Sequence, residues 1–229
     1  MAHFQRYHPV RAIFPQKAEP VSIDIAAEIN LQEELILDPA TTAALFLDAR
    51  TANAWSDAEI SDETLQAVYA LTRMGPTAMN IQPLRITWVR STAARERLVA
   101  HMNDGNKAKT LTAPMVALLS LDPAWHEQLA TTTPHMAGMA ETFADNDALR
   151  QMMASNNAHL QAGYFIMAAR SAGLAVGPMT GYDNAGMDAE FHAGTDAKSF
   201  MVVNLGRPNG ISDRDRLPRH EFEFATTQL

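Results

Sequence analysis

Five short segments of the chain set small, polar and cationic residues where they could meet a ligand. Arg50-Thr51-Ala52-Asn53-Ala54-Trp55 follows an apolar stretch directly, and an Arg beside a hydroxyl suits a phosphate. Gly75-Pro76-Thr77-Ala78-Met79-Asn80-Ile81-Gln82-Pro83 is a loop bounded by prolines, whose amide side chains could face the edge of a planar heterocycle. Gly105-Asn106-Lys107-Ala108-Lys109 is the third, and Gly177-Pro178-Met179-Thr180-Gly181-Tyr182-Asp183 the fourth. Small residues there would let backbone N–H groups approach a ligand closely. Arg214, Arg216 and Arg219 form the fifth, a basic cluster in an acidic chain, and with Arg50 they could neutralise one phosphate. Taken singly, each segment also reads as a stiff loop, a helix end or solvated charge.

Other chemistries lack their residues. There is no glycine loop followed by Lys-Ser or Lys-Thr, no Gly-x-Ser-x-Gly turn and no His-Glu-x-x-His pair. The eight histidines are dispersed, so no metal site is expected. Gly173, Gly177 and Gly181 are spaced by four and follow a helical segment, whereas the dinucleotide fingerprint precedes one.

In their order along the chain, the five segments resemble the FMN-dependent nitroreductases from about residue 45 onwards. The resemblance implies that Arg50, Thr51 and Asn53 contact the FMN phosphate and ring, with Asn53 standing where many members carry Lys or Arg. It implies that Pro76, Thr77, Asn80, Gln82 and Pro83 form a loop given to the flavin by the second subunit, with Leu84 in place of a common aromatic. Asn106 and Lys109 would serve the ring, Lys109 opposing negative charge on it. Pro178, Met179 and Gly181 would lie beside flavin N5, with Thr180 where several members have Glu. Arg216 and Arg219, helped by Arg50, would hold the phosphate, Arg214 being the uncertain third.

Within the family the malonic-semialdehyde reductase (3-hydroxypropionate-forming) branch is the most similar. Ala49-Arg50-Thr51, Met74-Gly75-Pro76-Thr77, Gly105-Asn106, Lys109-Thr110-Leu111, Ala113-Pro114, Gly177-Pro178-Met179 and Arg216-Leu217-Pro218-Arg219 carry that likeness. Residues 1–40 are extra to it, and Ile81-Gln82 depart from it. The resemblance thus implies an α+β fold, a central mostly antiparallel sheet flanked by helices, in an intertwined homodimer with FMN at the interface. The implied activity is ping-pong reduction of a small electron-poor acceptor by NADH or NADPH. Malonic semialdehyde leads as acceptor, with nitroaromatics or quinones next. A non-catalytic flavin carrier or sensor is the alternative, and no catalytic acid or base is named.

The elements that must position these residues read as follows. Residues 1 to about 22 carry Pro9, Pro15 and Pro20 among single apolar residues and suit an extended arm. Ile25–Leu37 and Thr41–Ala49 are apolar at helical spacing, with a break at Asp38-Pro39. Ser61 caps a helix whose face is Leu65, Val68, Tyr69 and Thr72 and which Gly75-Pro76 ends. Ile86–Arg90 reads as a strand, and Thr92–Met102 as a helix ending near Gly105. Met115–Leu121 lacks polar alternation and is expected in the sheet centre, buried on both faces. Pro123–Arg150 is polar and aperiodic, as insertions carrying substrate contacts or lids often are. Asn157–Ala172 is apolar nearly all round, with Leu160, Tyr164, Met167, Ala168 and Ser171 on one face, as befits a central or interface helix. Ser199–Leu205 is a last strand. The domain expectation is an arm and helix extension over 1–40 and one FMN-binding domain over 41–229.

Composition agrees. The 229 residues are 47% hydrophobic and 19% charged, enough to bury a core. A net charge of −8 repels nucleic acid and anionic lipid. No cysteine is present, which removes thiolate chemistry and suits a cytoplasmic home. No apolar stretch reaches bilayer length, and no secretion signal is read at the N-terminus.

Overall fold

The computed structural model describes residues 31–52, 54–210 and 216–229. The proposed arm, Asn53 and Arg214 lie outside them. Four strands, β1 (Leu84–Val89), β2 (Met115–Leu121), β3 (Ala175–Met179) and β4 (Lys198–Gly206), form one sheet in the order β1-β2-β4-β3, antiparallel throughout. The expected antiparallel α+β architecture is therefore present.

β2 is interior, and its residues Met115 to Ser120 are all buried. Its side chains alternate between two cores, as pleating requires. Met115, Ala117 and Leu119 join Leu65, Val68, Phe165 and Val203 on one face. Val116 and Leu118 join Leu98, Met102, Met187 and Val202 on the other. The first face is covered by α1 (Asp62–Thr72) and α4 (Asp147–Ser171), and the second by α2 (Thr92–Ala100), α3 (Asp104–Thr112) and α5 (Asn184–Phe191). A third small core of Ile81, Trp125, Leu129, Phe143 and Ala154 sits under the short helical turns between Trp125 and Ala144. The aperiodic insertion is thus folded.

Helix starts follow capping chemistry. Ser61 accepts from the Thr64 N–H at 3.2 Å, Ser91 from Ala94 at 3.2 Å and Asn146 from Leu149 at 3.1 Å. Asp38 caps the turn Pro39–Thr42, so the expected break is real; of the helix expected over 25–37, the described residues form only Leu31–Glu34.

Several expectations are corrected. α1 stops at Thr72 with Arg73 as its cap, and Tyr69 stands 48% exposed because Leu65, Val68 and Thr72 already define the inward stripe. Gly105 does not end a helix but lies in the first turn of α3, started from Asn103. α4 begins ten residues earlier than Asn157, and Leu160 and Tyr164 point outwards, at 54% and 45% exposure. Its sheet-facing side is built from Ala162, Ala168 and Ala169 around Phe165, since small residues let a helix lie close to a sheet, while Ala154 packs into the third core. β3 is a strand where the sequence suggested only a small-residue segment for a ligand. It runs through Pro178, which an edge strand tolerates.

Candidate functional site

The sequence-derived residues fall into two groups at opposite edges of the sheet. The first gathers around β3 and the chain entering and leaving the domain. A π-helical turn, Ala43–Leu47, delivers the backbone to Arg50 and Thr51. Trp55 then bridges to Pro208, Ser56 N–H donates to the Arg207 carbonyl at 3.0 Å and Asn209 N–H to Ala54 at 3.2 Å. These bonds fasten the Arg50 segment to the end of β4. Trp55 fits only because residue 206 is Gly: a Cβ there would lie 2.4 Å from the indole and 2.8 Å from Pro114.

Arg216 reaches back across this segment, donating to the carbonyls of Leu47 and, at 3.3 Å, Ala49. Arg170, near the C-terminus of α4, donates to Leu45 at 2.9 Å. The guanidinium groups crowd one another. Burial, then the like charges of Arg50 and Arg219, push Arg216 below the ordinary Arg value, while Asp48 opposes. Burial and Arg216 do the same to Arg170. Arg219 is exposed and donates to Leu217 at 2.7 Å and Pro218 at 3.1 Å. Like charges crowded in this way favour an anion among them. Arg170 was missed from sequence because a lone Arg late in an apolar helix gives no motif.

Thr51 lies beside Gly177, its methyl carbon 3.7 Å from where a Cβ would stand. Gly177 pairs with Asn204 in the sheet, and Asn204 donates to the Thr110 hydroxyl at 3.2 Å. Thr110 belongs to α3, which also carries Asn106 and Lys109. Asn106 donates to the Gly181 carbonyl at 3.2 Å, and Asn103 N–H reaches the same oxygen at 3.0 Å. Gly181 is tight against these two amides, 3.0 Å from each to a Cβ. Its smallness serves packing against Asn103 and Asn106. Pro178 is exposed at the edge, Met179 is buried, and Thr180 is exposed. Lys109 is half-buried in α3, and Asp104, nearby, pairs with Lys107 at 2.7 Å.

The second group is the Pro76–Pro83 loop, which leads into β1 at the other edge. Met79, Asn80 and Gln82 have φ of +53°, +54° and +43°, a left-handed backbone that costs non-glycine residues about 1–3 kcal/mol each. The surroundings hold it there. Asn157 accepts from Ala78 N–H at 2.7 Å, Gln161 from Leu84 N–H at 3.0 Å, and Met79 accepts from Thr133 Oγ1 at 2.5 Å. Asn80 donates to Thr132 at 2.7 Å and accepts from Gln82 Nε2 at 3.0 Å, while Thr77 accepts from Gln82 N–H at 3.3 Å. The amide side chains thus close the loop on itself and on the insertion. Pro76 and Asn80 are exposed, Thr77 half-buried and Pro83 buried. A cavity of about 190 Å³ beside the loop is lined by Gln82, Arg85, Gln128, Thr132 and Gln161 among others.

The sequence model of the Nitroreductase family matches residues 49–207, which span all four strands, Arg50, the Pro76–Pro83 loop, α3 and Gly177–Gly181, but end before Arg216 and Arg219. The chain belongs to the nitroreductase family. A Streptomyces griseus protein provisionally named NADH dehydrogenase/NAD(P)H nitroreductase is 48% identical over 195 residues, covering 85% of this chain and 99% of that one. Among solved structures, a nitroreductase-like protein of Exiguobacterium sibiricum in complex with FMN aligns at TM-score 0.70 and 15% identity, covering 80% and 94% of the two chains. The NADPH:FMN oxidoreductase of Vibrio harveyi complexed with NAD+ aligns at 0.65 and 18%, covering 82% and 76%. At those identities the likeness is one of fold. In nitroreductase terms, β3 and α3 bring the Asn106 and Gly181 segments together, while the loop stands apart at the β1 edge. Among the described residues no cluster of His, Cys, Asp or Glu could hold a metal ion, and no helix is long and apolar enough to cross a membrane.

Proposed function

We propose that this chain is an FMN-dependent NAD(P)H oxidoreductase that reduces a small electron-poor acceptor in two half-reactions, with malonic semialdehyde the leading acceptor. The observation that carries the reading is that Arg216 and Arg170 both bond the backbone of residues 45–49, while Arg50 and Arg219 stand close enough to Arg216 to lower its pKa. The names of the relatives, NAD(P)H nitroreductase and NADPH:FMN oxidoreductase, agree with it. These residues fit FMN, because crowded guanidinium groups are relieved by a phosphate dianion. Bound FMN supplies the hydride chemistry between nicotinamide and acceptor.

The rest is done by side chains of this chain. Arg216, Arg219 and Arg50 anchor the phosphate, and Thr51 lies against the edge strand beside it. Lys109 and Asn106 face negative charge that builds on the ring, and Gly181 and Pro178 border it, with Asn53 completing the entry segment. Pro76, Thr77 and Asn80 enclose the ring from a second subunit, in keeping with the loop's place at the far sheet edge. The chain would then work as a homodimer.

The test is anaerobic mixing of the purified, flavin-loaded protein with NADH or NADPH, followed by an acceptor. Bleaching of the oxidised flavin band and its return on adding malonic semialdehyde, a nitroaromatic or a quinone is expected. Bound FMN that neither nicotinamide reduces would make the protein a carrier or sensor. Faster return with the nitroaromatic or quinone than with malonic semialdehyde would replace the acceptor and keep the enzyme.

A further inference from the structure

Two polar side chains on the sheet-facing side of α4 play no part in the reading above. Asn157 and Gln161 are 5% and 4% exposed among alanines and Phe165. Burying two amides on such a surface is costly unless each is bonded. They are one helical turn apart and so share one face. Asn157 accepts from Ala78 N–H inside the Pro76–Pro83 loop, and Gln161 from the N–H of Leu84, the residue that follows it. One grips the loop just before its three left-handed residues and the other just after. Asn157 is itself oriented by donating to Met153 at 2.8 Å.

Ala78 lies outside the sheet, and Leu84 is the first residue of β1. What the pair does is fix the span between them. Met79, Asn80 and Gln82 adopt φ values that short loops of ordinary residues leave when free to do so. Arg85 adds a third hold, donating to Gln82 at 3.1 Å while it pairs with Asp122 at 2.6 Å.

We infer that Asn157 and Gln161 are positioning residues that hold the Thr77–Gln82 loop in the one strained conformation able to close over the flavin. This rests on the flavin reading above. They touch neither cofactor nor acceptor and act through the backbone of the loop. Preorganisation of this kind appears as affinity, because the ordering cost is met before the ligand arrives.

The test compares FMN affinity, read by quenching of flavin fluorescence, for Gln161→Leu, Gln161→Glu, Asn157→Leu and Phe165→Leu. Gln161→Leu keeps the side chain's bulk but loses the accepting oxygen, whereas Gln161→Glu keeps that oxygen. Phe165→Leu destabilises the same helix from a core position without touching the loop. The expected result is a tenfold or greater loss of FMN affinity for Gln161→Leu and Asn157→Leu. Gln161→Glu and Phe165→Leu should stay within threefold of the parent protein. Hydrogen exchange of the Ala78–Gln82 amides should accelerate in the two weakened variants, with that of Leu84 in Gln161→Leu as well, and the rest of β1 should stay unchanged. Parent-like affinity in Gln161→Leu and Asn157→Leu overturns the inference alone, as does an equal loss in Phe165→Leu. A parent protein that binds no FMN overturns the flavin reading first.

Discussion

Arg216 bridges two carbonyls of the Arg50 segment while standing among like charges, so its removal should be felt at a phosphate and little elsewhere. Hydrogen bonds to charged groups are worth roughly 1.5–3 kcal/mol each. Changing Arg216 and Arg219 together to Ala should therefore weaken FMN binding by roughly 100-fold or more. Riboflavin, which lacks the phosphate, should bind the variant and the parent within threefold. Equal losses for both flavins would show that the arginines support the ring pocket and not the phosphate. A second residue-scale expectation concerns His192, whose Nε2 lies 2.6 Å from the Ser120 hydroxyl. Burial lowers its pKa below the ordinary imidazole value, Asp188 pulling the other way. A histidine that is harder to protonate when folded takes up more protons in the unfolded chain. Stability should then fall as pH drops below about 6.5. Thermal melts between about pH 7 and pH 5 should show the decline, and His192→Gln should flatten part of it.

At the scale of elements, β4 ends against Trp55, and Gly206 is the residue that permits the contact. Gly206→Ala would drive a methyl group into the indole and Pro114. Overpacking of this kind costs about 1–3 kcal/mol. The variant should melt lower and also bind FMN more weakly, since Trp55 fastens the Arg50 segment; a lower melting temperature with unchanged FMN affinity would detach the two. The elements legible in sequence were those with a local cause. Ser61 and its acidic first turn announce α1, and the unbroken apolar run of Met115–Leu121 announces β2. β3 was hidden because Gly177 and Pro178 look like turn residues, and only its place at the sheet edge makes them acceptable. α4 was misaligned because two of its large apolar residues, Leu160 and Tyr164, face outwards while Phe165 and the alanines face in, an arrangement no reading of one helix in isolation reveals. Arg50, Arg216, Asn106 and Gly181 were singled out by their order along the chain, though the bond between Asn106 and Gly181 was not foreseen. Arg170, Asn157 and Gln161 were not, because their partners lie far away in sequence.

For the whole molecule, the outward apolar residues of α1, α4 and the turn after α1 form the clearest unexplained surface. Tyr69, Leu71, Met74, Met152, Leu160 and Tyr164 are each 45–64% exposed. Such a surface is rare on a monomer and ordinary at an obligate dimer interface. Sedimentation should find a dimer at micromolar concentration, and Met74→Glu with Leu160→Glu should yield a monomer that has lost FMN. A flavin-bound, folded monomer of the parent protein would dismiss the shared site. The contact between Arg216 and Leu47 spans 169 residues of sequence. At ribosomal rates of about 5–20 residues per second, the front of that contact waits on the order of 10–30 s for its back. If Arg216 anchors the phosphate as proposed, that anchor is finished among the last parts of the protein to be made, and a nascent chain halted after β4 but short of Arg216 would carry a complete sheet and a weakened hold on its cofactor.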